Sequence, residues 1–269
     1  MALNRRLRAV LLAISSVVLV FIYLPLVVVL ISSFSISPTF TWPPPGWTLE
    51  WWRVAFHSAG ARHALLVSIE VALCATAIAL VLGTLAGLAL RRTRFFGRNT
   101  VSLLIILPIA LPGIVTGIAL NNAFRTMLGV DLGFITIVIA HATFCIVTVF
   151  NNVQARLQRF GPSLEQASAD LGAGPFRTFA LVSFPMLRSA LLAGALLAFG
   201  LSFDEIVVTT FTAGPQVQTL PIWIFQNLFR PNQAPVVNVV AAVLVLTSAI
   251  PIYFAQRLSG DAVNIDAAP

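Results

Sequence analysis

Residues 161–185 read Gly161-Pro-Ser-Leu-Glu-Gln-Ala-Ser-Ala-Asp-Leu-Gly172-Ala-Gly-Pro-Phe-Arg-Thr-Phe-Ala-Leu-Val-Ser-Phe-Pro185. Ser163 followed by Gln166 is a capping box and predicts a helix start there. Leu164, Ala167 and Leu171 then fall on one helical face. Gly172 or Gly174 can end the helix in a left-handed cap. Pro175 suits the first position of a second short helix, and Phe176 and Phe179 give that helix an apolar side. Pro185 is expected to stop it. The product is a short helix pair that shows Leu and Phe side chains outside any bilayer. Such a knob fits a partner's groove. The plainer alternative is a surface loop lying on a membrane.

The segment is flanked by apolar sequence on both sides. Of 269 residues, 58% are hydrophobic and only 9% charged, and the mean hydropathy is +0.95. A soluble domain carries about a quarter charged residues, so neither a soluble globule nor a disordered chain can be built from this composition. A bilayer span needs about 20 mostly apolar residues. Six runs qualify: Ala9–Ser33, Ala64–Leu90, Val101–Leu120, Phe134–Val153, Ala190–Thr212 and Val236–Leu258. They are continuous rather than alternating, which excludes an outer-membrane barrel. The expected fold class is all-α, a polytopic membrane protein with six transmembrane helices. Residues 1–269 form a single transmembrane domain, and 161–185 is a loop within it. A secretory signal has an apolar region of about 7–15 residues; the first run is longer and lacks a small-x-small cleavage site, so it reads as an uncleaved span.

All 16 basic residues are Arg. A pI near 11.2 in a soluble protein would suggest nucleic acid, but here the arginines lie between apolar runs and act as topology signals, so no nucleic-acid partner is expected. With the N-terminus inside, the cytoplasmic side holds Arg5, Arg6, Arg8, Arg91, Arg92, Arg94, Arg98, Arg156, Arg159, Arg177, Arg188 and Arg257. The other side holds Arg53, Arg62, Arg125 and Arg230. That bias places both termini and the 161–185 loop in the cytoplasm. The outer loop Ser35–Ala61 is rich in Pro and Trp, and a lateral interfacial helix is plausible at Leu49–Phe56. Cys74 and Cys145 lie inside apolar runs without CxxC spacing and read as inert buried thiols.

Intramembrane acids are expensive and usually face a cavity. Three stand out: Glu70 in the second run, and Asp204 and Glu205 in the fifth. Counting residues at ~1.5 Å each puts Glu70 and the acid pair at a similar depth, which would attract a cation. The bland readings are snorkelling of Glu70 to the outer interface and pairing of Asp204–Glu205 with a companion subunit. Asp204 is favoured over Glu205 as the path residue, with Phe203 beside it. His141 and Cys145, at i and i+4, could ligate a metal, but without a third ligand they read as packing and no metal is expected. Pro108 and Pro112 break the ladder of the third run and either shape a cavity wall or merely kink it. Asn121, Asn122, Asn151 and Asn152 read as caps or headgroup contacts, and Thr209 and Thr210 can bond between helices.

The 161–185 loop resembles the EAA loop of ABC importer permeases. Gly172 and Pro185 hold that motif's Gly and Pro, Val182 and Phe184 stand for its Ile and Leu, and Asp170-Leu171-Gly172 matches its common Asp-Leu-Gly. The departure is at the start. The Glu position is Gln166, Ala167-Ser168 replaces Ala-Ala, and Glu165 lies one residue early; a helix is still implied there, whereas the family Glu's salt bridge is not. The resemblance implies a type I importer fold in which Leu164, Glu165, Gln166, Ala167, Asp170, Leu171, Gly172, Phe176 and Pro185 couple to an ATPase. It also implies the partners: an ATP-binding subunit dimer, a second homologous permease, an external solute-binding protein and the lipid bilayer of the bacterial inner membrane. The chain has no Lys, hence no Gly-x-x-x-x-Gly-Lys-[Ser/Thr] phosphate loop. It is therefore expected to carry no cofactor and no enzyme activity, with ATP and Mg in the partner.

Ser202-Phe203-Asp204-Glu205, Thr212-Ala213-Gly214-Pro215, Thr219-Leu220-Pro221, Arg230-Pro231 and Pro235-Val236-Val237-Asn238 resemble the spermidine/putrescine branch of these permeases. That resemblance implies polyamine import by alternating access. The alternatives are a permease for another small solute, or an ion-driven carrier or channel using Glu70, Asp204 and Glu205. The carrier reading leaves the 161–185 loop unexplained. An intramembrane enzyme lacks a His-Glu-x-x-His motif or a nucleophile–base pair.

Overall fold

The computed structural model describes residues 4–92, 96–159, 163–230 and 233–247. In order, the helices are α1 (Arg5–Ser32), α2 (Glu50–His57), α3 (Ala59–Arg92), α4 (Arg98–Ala110), α5 (Gly113–Asn122), α6 (Phe134–Arg159), α7 (Ser163–Asp170), α8 (Pro175–Thr178), α9 (Phe184–Phe203), α10 (Val207–Thr212), α11 (Leu220–Leu228) and α12 (Ala234–Thr247). The described residues form no sheet; one isolated antiparallel bridge joins Ser35 and Trp47. The first and second spans are α1 and α3, and the fourth is α6. The sixth begins as α12, and the rest of its expected range lies outside the described residues. The described residues divide into two compact units, those within 1–62 and 224–269, and those within 63–223.

In the first unit, α1 is long enough to cross a bilayer, and no residue of its apolar window is buried. A side chain exposed all round a helix this apolar is stable only in lipid or against another chain. The loop after α1 is pinned by Ile36 N–H to the Gly46 carbonyl at 3.0 Å and Thr48 N–H to the Phe34 carbonyl at 2.8 Å. Trp52 of α2 stacks on Phe34 with centroids 5.0 Å apart. The short helix α2 thus occurs where a lateral helix is expected.

The second unit is built round α6, whose buried residues include Ile137, His141, Cys145, Val149 and Val153. Lipid is as apolar as Leu, so helices associate in a bilayer by close packing of small residues. Two such stripes flank α6. On α3, Ala75, Ala79, Gly83 and Gly87 recur every fourth residue. A Cβ on Gly83 would lie 2.9 Å from the Ile146 carbonyl, and one on Gly87 2.8 Å from Val153 Cγ1. On α9, Ala190, Gly194, Ala198 and Ser202 are all buried at the same spacing. At the arginine-rich end, Arg91 Nη1 donates to the Leu157 carbonyl at 2.6 Å, and Arg156 Nε to the Met186 carbonyl at 3.0 Å.

Three local expectations are corrected. The third span, read as one run Val101–Leu120, is the pair α4 and α5, bent by 104°. Leu111 precedes Pro112 and is pushed to extended backbone, φ −82° and ψ 145°, which ends α4. The fifth span, read as Ala190–Thr212, is interrupted after Phe203 and resumes as α10 at Val207. Pro185 does not stop the second loop helix. A π-helical turn, Phe179–Ser183, joins α8 to α9, so Pro175–Phe203 is one helical stretch with Pro185 at the start of α9. The π turn shifts the hydrogen-bond ladder where Pro185 cannot donate.

Candidate functional site

The 161–185 loop is a knob with an apolar outer face. Leu164 is half exposed, Leu171 is 88% exposed and Phe176 83% exposed. Gln166, Ala167 and Asp170 are exposed as well. Gly172 closes α7 at φ +78°, with its N–H on the Ala169 carbonyl and the Ala173 N–H on the Ser168 carbonyl. That left-handed cap turns the chain into α8, as expected. Two side-chain contacts hold the knob's shape. Ser183 Oγ donates to Glu165 Oε1 at 2.6 Å, and the Ser168 and Thr178 hydroxyls lie 3.0 Å apart. Glu165 therefore faces its own loop, while Gln166 faces outward.

The second feature is the break in the fifth span. Asp204 N–H still bonds the Gly200 carbonyl at 3.2 Å, and then the ladder stops. The Glu205 carboxylate accepts the Val208 N–H at 2.8 Å, satisfying a donor in the first turn of α10. Glu205 is half-buried in that role. Asp204 is exposed, and Phe203 is half-buried and stacked on Phe199 at 5.7 Å. Glu70 is exposed on α3. No hydrogen bond or ion pair among the described residues joins Glu70 to Asp204 or Glu205. No three His, Cys, Asp or Glu side chains among the described residues converge on a metal position.

Sequence reading missed what frames the break. His141 of α6, fully buried, contacts Ser202 Oγ through Nδ1 at 2.7 Å and Thr209 Oγ1 through Nε2 at 2.8 Å. Cys145 Sγ donates to the Ala198 carbonyl at 3.3 Å. The pair at i and i+4 does lie on one face, but that face reads α9 and α10. Asn121 serves a helix end other than its own: its Nδ2 donates to the Phe211 carbonyl in the last turn of α10. Gly117 of α5 lies under the Phe211 ring, where a Cβ would come within 2.7 Å.

Residues 79–264 match the family of binding-protein-dependent transport system inner membrane components. The chain belongs to this family. The permease is 34% identical over 231 residues to the putrescine transport system permease protein PotI of Escherichia coli (strain K12), covering 83% of this chain and 81% of that one. It is 31% identical over 241 residues to the spermidine/putrescine transport system permease protein PotC of the same strain, covering 90% of both. A chain of a bacterial ABC transporter involved in the import of the acidic polysaccharide alginate shares its fold with a TM-score of 0.68 at 16% identity, over 97% of this chain and 99% of that one. An inward-facing structure of the methionine ABC transporter MetNI matches at 0.58 and 17%, over 77% and 95%. The permease therefore has the all-α fold of an ABC importer membrane subunit and is a transport subunit rather than an enzyme.

Proposed function

We propose that this permease carries putrescine or spermidine inward by alternating access, driven by a separate ATP-binding subunit dimer that holds ATP and Mg. A second homologous permease completes the path, and an external solute-binding protein delivers the substrate. Both termini and the 161–185 knob are cytoplasmic, with Leu164, Leu171 and Phe176 seated in the ATPase and Gly172 setting their angle. The Arg distribution supports that orientation.

The observation that carries the substrate reading is relatedness over nearly the whole chain to PotI and PotC, both named for putrescine transport. The chemistry of the break supports it. A polyamine is a string of ammonium groups, for which carboxylates and aromatic faces are favourable partners away from water. Asp204 is the exposed acid, because Glu205 is occupied as a cap. Phe203 lies beside it, and Glu70 is a second carboxylate for the path. The knob and the acid lie at the two ends of one helical stretch, Pro175–Phe203. At 1.5 Å per residue its 29 residues reach ~43 Å, so movement of the ATPase at one end is delivered at Asp204.

The test is uptake of labelled putrescine and spermidine by cells with the gene intact, deleted and restored. Uptake should vanish on deletion and return on restoration. Unchanged uptake in a deletion strain lacking other polyamine importers would remove the polyamine assignment and leave a permease for another small solute.

A further inference from the structure

His141 bonds both halves of the broken fifth span, Ser202 in α9 and Thr209 in α10. Its tautomer follows from counting protons. Thr209 has one hydroxyl hydrogen, and its Oγ1 lies 2.9 Å from the Glu205 carbonyl, which can only accept. The Thr209 hydroxyl must therefore accept from the ring, so His141 carries its proton on Nε2. The neutral ring's Nδ1 is then an acceptor, filled by the Ser202 hydroxyl. A continuous chain results: Ser202 hydroxyl to His141, His141 to Thr209, and Thr209 to the Glu205 carbonyl. It spans the break and ends on the residue after Asp204.

A break in a membrane span is tolerated only where freed backbone groups are re-satisfied. Thr209 and the Glu205 carboxylate do this locally, but neither ties α10 to α9. His141 does, from a position on α6 that Cys145 locks one turn away on the Ala198 carbonyl. Thr136 Oγ1 adds a bond from α6 to the Thr212 carbonyl at 2.8 Å. We propose that His141, as the neutral Nε2–H tautomer, is the positioning residue that fixes the angle between α9 and α10 and so presents Asp204 to the substrate. The presentation of Asp204 rests on the path role given to it above; the clasp itself does not.

The experiment uses the assembled transporter in lipid nanodiscs and proteoliposomes. Spin labels at the exposed positions 192 and 210, in a Cys74→Ala, Cys145→Ser background, report the angle across the break. One narrow distance is expected for the parent and for His141→Gln, whose amide can still donate to Thr209. A broadened distance is expected for His141→Leu and Thr209→Val. Putrescine KM should rise about tenfold in those two with little change in maximal rate, the effect of one lost buried hydrogen bond, and His141→Gln should recover most of it. Ile137→Ala, a cavity variant on the same helix, controls for loss of stability: it should lower yield and leave KM alone. Unchanged distances in both His141→Leu and Thr209→Val overturn the clasp. Broadened distances with unchanged KM, or an equal KM rise in Ile137→Ala, overturn its link to Asp204. A parent that moves no putrescine counts against the proposed substrate, and the distances still decide the clasp.

Discussion

Glu165 accepts a hydrogen bond from Ser183 at 2.6 Å, tying α7 to the π turn that leads into the fifth span. One residue along an α-helix is about 100° of rotation. Moving the carboxylate from position 166 to 165 therefore turns it from the outer face of the knob to the inner one. In this loop the acid braces the knob from within, and the neutral Gln166 faces outward. Glu165→Ala should release α7, seen as faster amide hydrogen exchange across residues 163–170. Gln166→Ala should leave that exchange unchanged.

The apolar tips of the knob should hold the ATPase. Leu171→Asp with Phe176→Asp places charges at the two most exposed of these tips, at no cost to the permease core. Co-purification of the ATP-binding subunit should fall at least about tenfold, as expected when anchor residues are replaced, while the permease is still recovered in the membrane. Retention of the ATPase would show that the subunits meet elsewhere.

The glycine stripe on α3 sets the distance to α6. Gly83→Val would drive a side chain against the Ile146 carbonyl and the Phe150 backbone nitrogen. Backbone cannot step aside as a side-chain tip can, so the helices must separate at a cost of about 1–3 kcal/mol. Thermal unfolding in detergent should begin at a lower temperature, and a matching change at Gly200, which has open space round it, should shift it less.

The two acids at the break should separate by role. Glu205→Ala removes the side chain that holds the Val208 N–H and should destabilise the permease by about 1 kcal/mol. Asp204→Asn should leave stability unchanged and act on transport alone. Thermal unfolding of the two variants side by side checks the first half of this contrast.

The spans and the knob are legible in the sequence because length, apolar content and the Ser163, Gly172 and Pro175 signals are local. The bend at Leu111–Pro112 is half legible: the prolines mark a break, yet nothing in them states an angle of 104°. The interruption at Asp204 is hidden because no proline or glycine marks it and hydropathy sums straight across it. Glu205 three residues before Val208 is the one capping signal in the run. The His141 clasp needs α6, α9 and α10 to be packed before Ser202 and Thr209 become neighbours, and sequence spacing carries no such information. The four-residue Ala/Gly repeat of α3 is present in the sequence, but hydropathy counts small residues only as apolar.

ATP-driven accumulation of labelled putrescine in proteoliposomes, with all subunits present and Asp204→Asn beside the parent, is the most direct measurement. The expected result is ATP-dependent uptake by the parent and at least about tenfold weaker uptake by the variant, the scale of one lost charge-assisted contact, with the ATPase still bound. Equal uptake by Asp204→Asn would take the acid off the path, and no ATP-dependent uptake by an intact parent complex would contradict polyamine import itself.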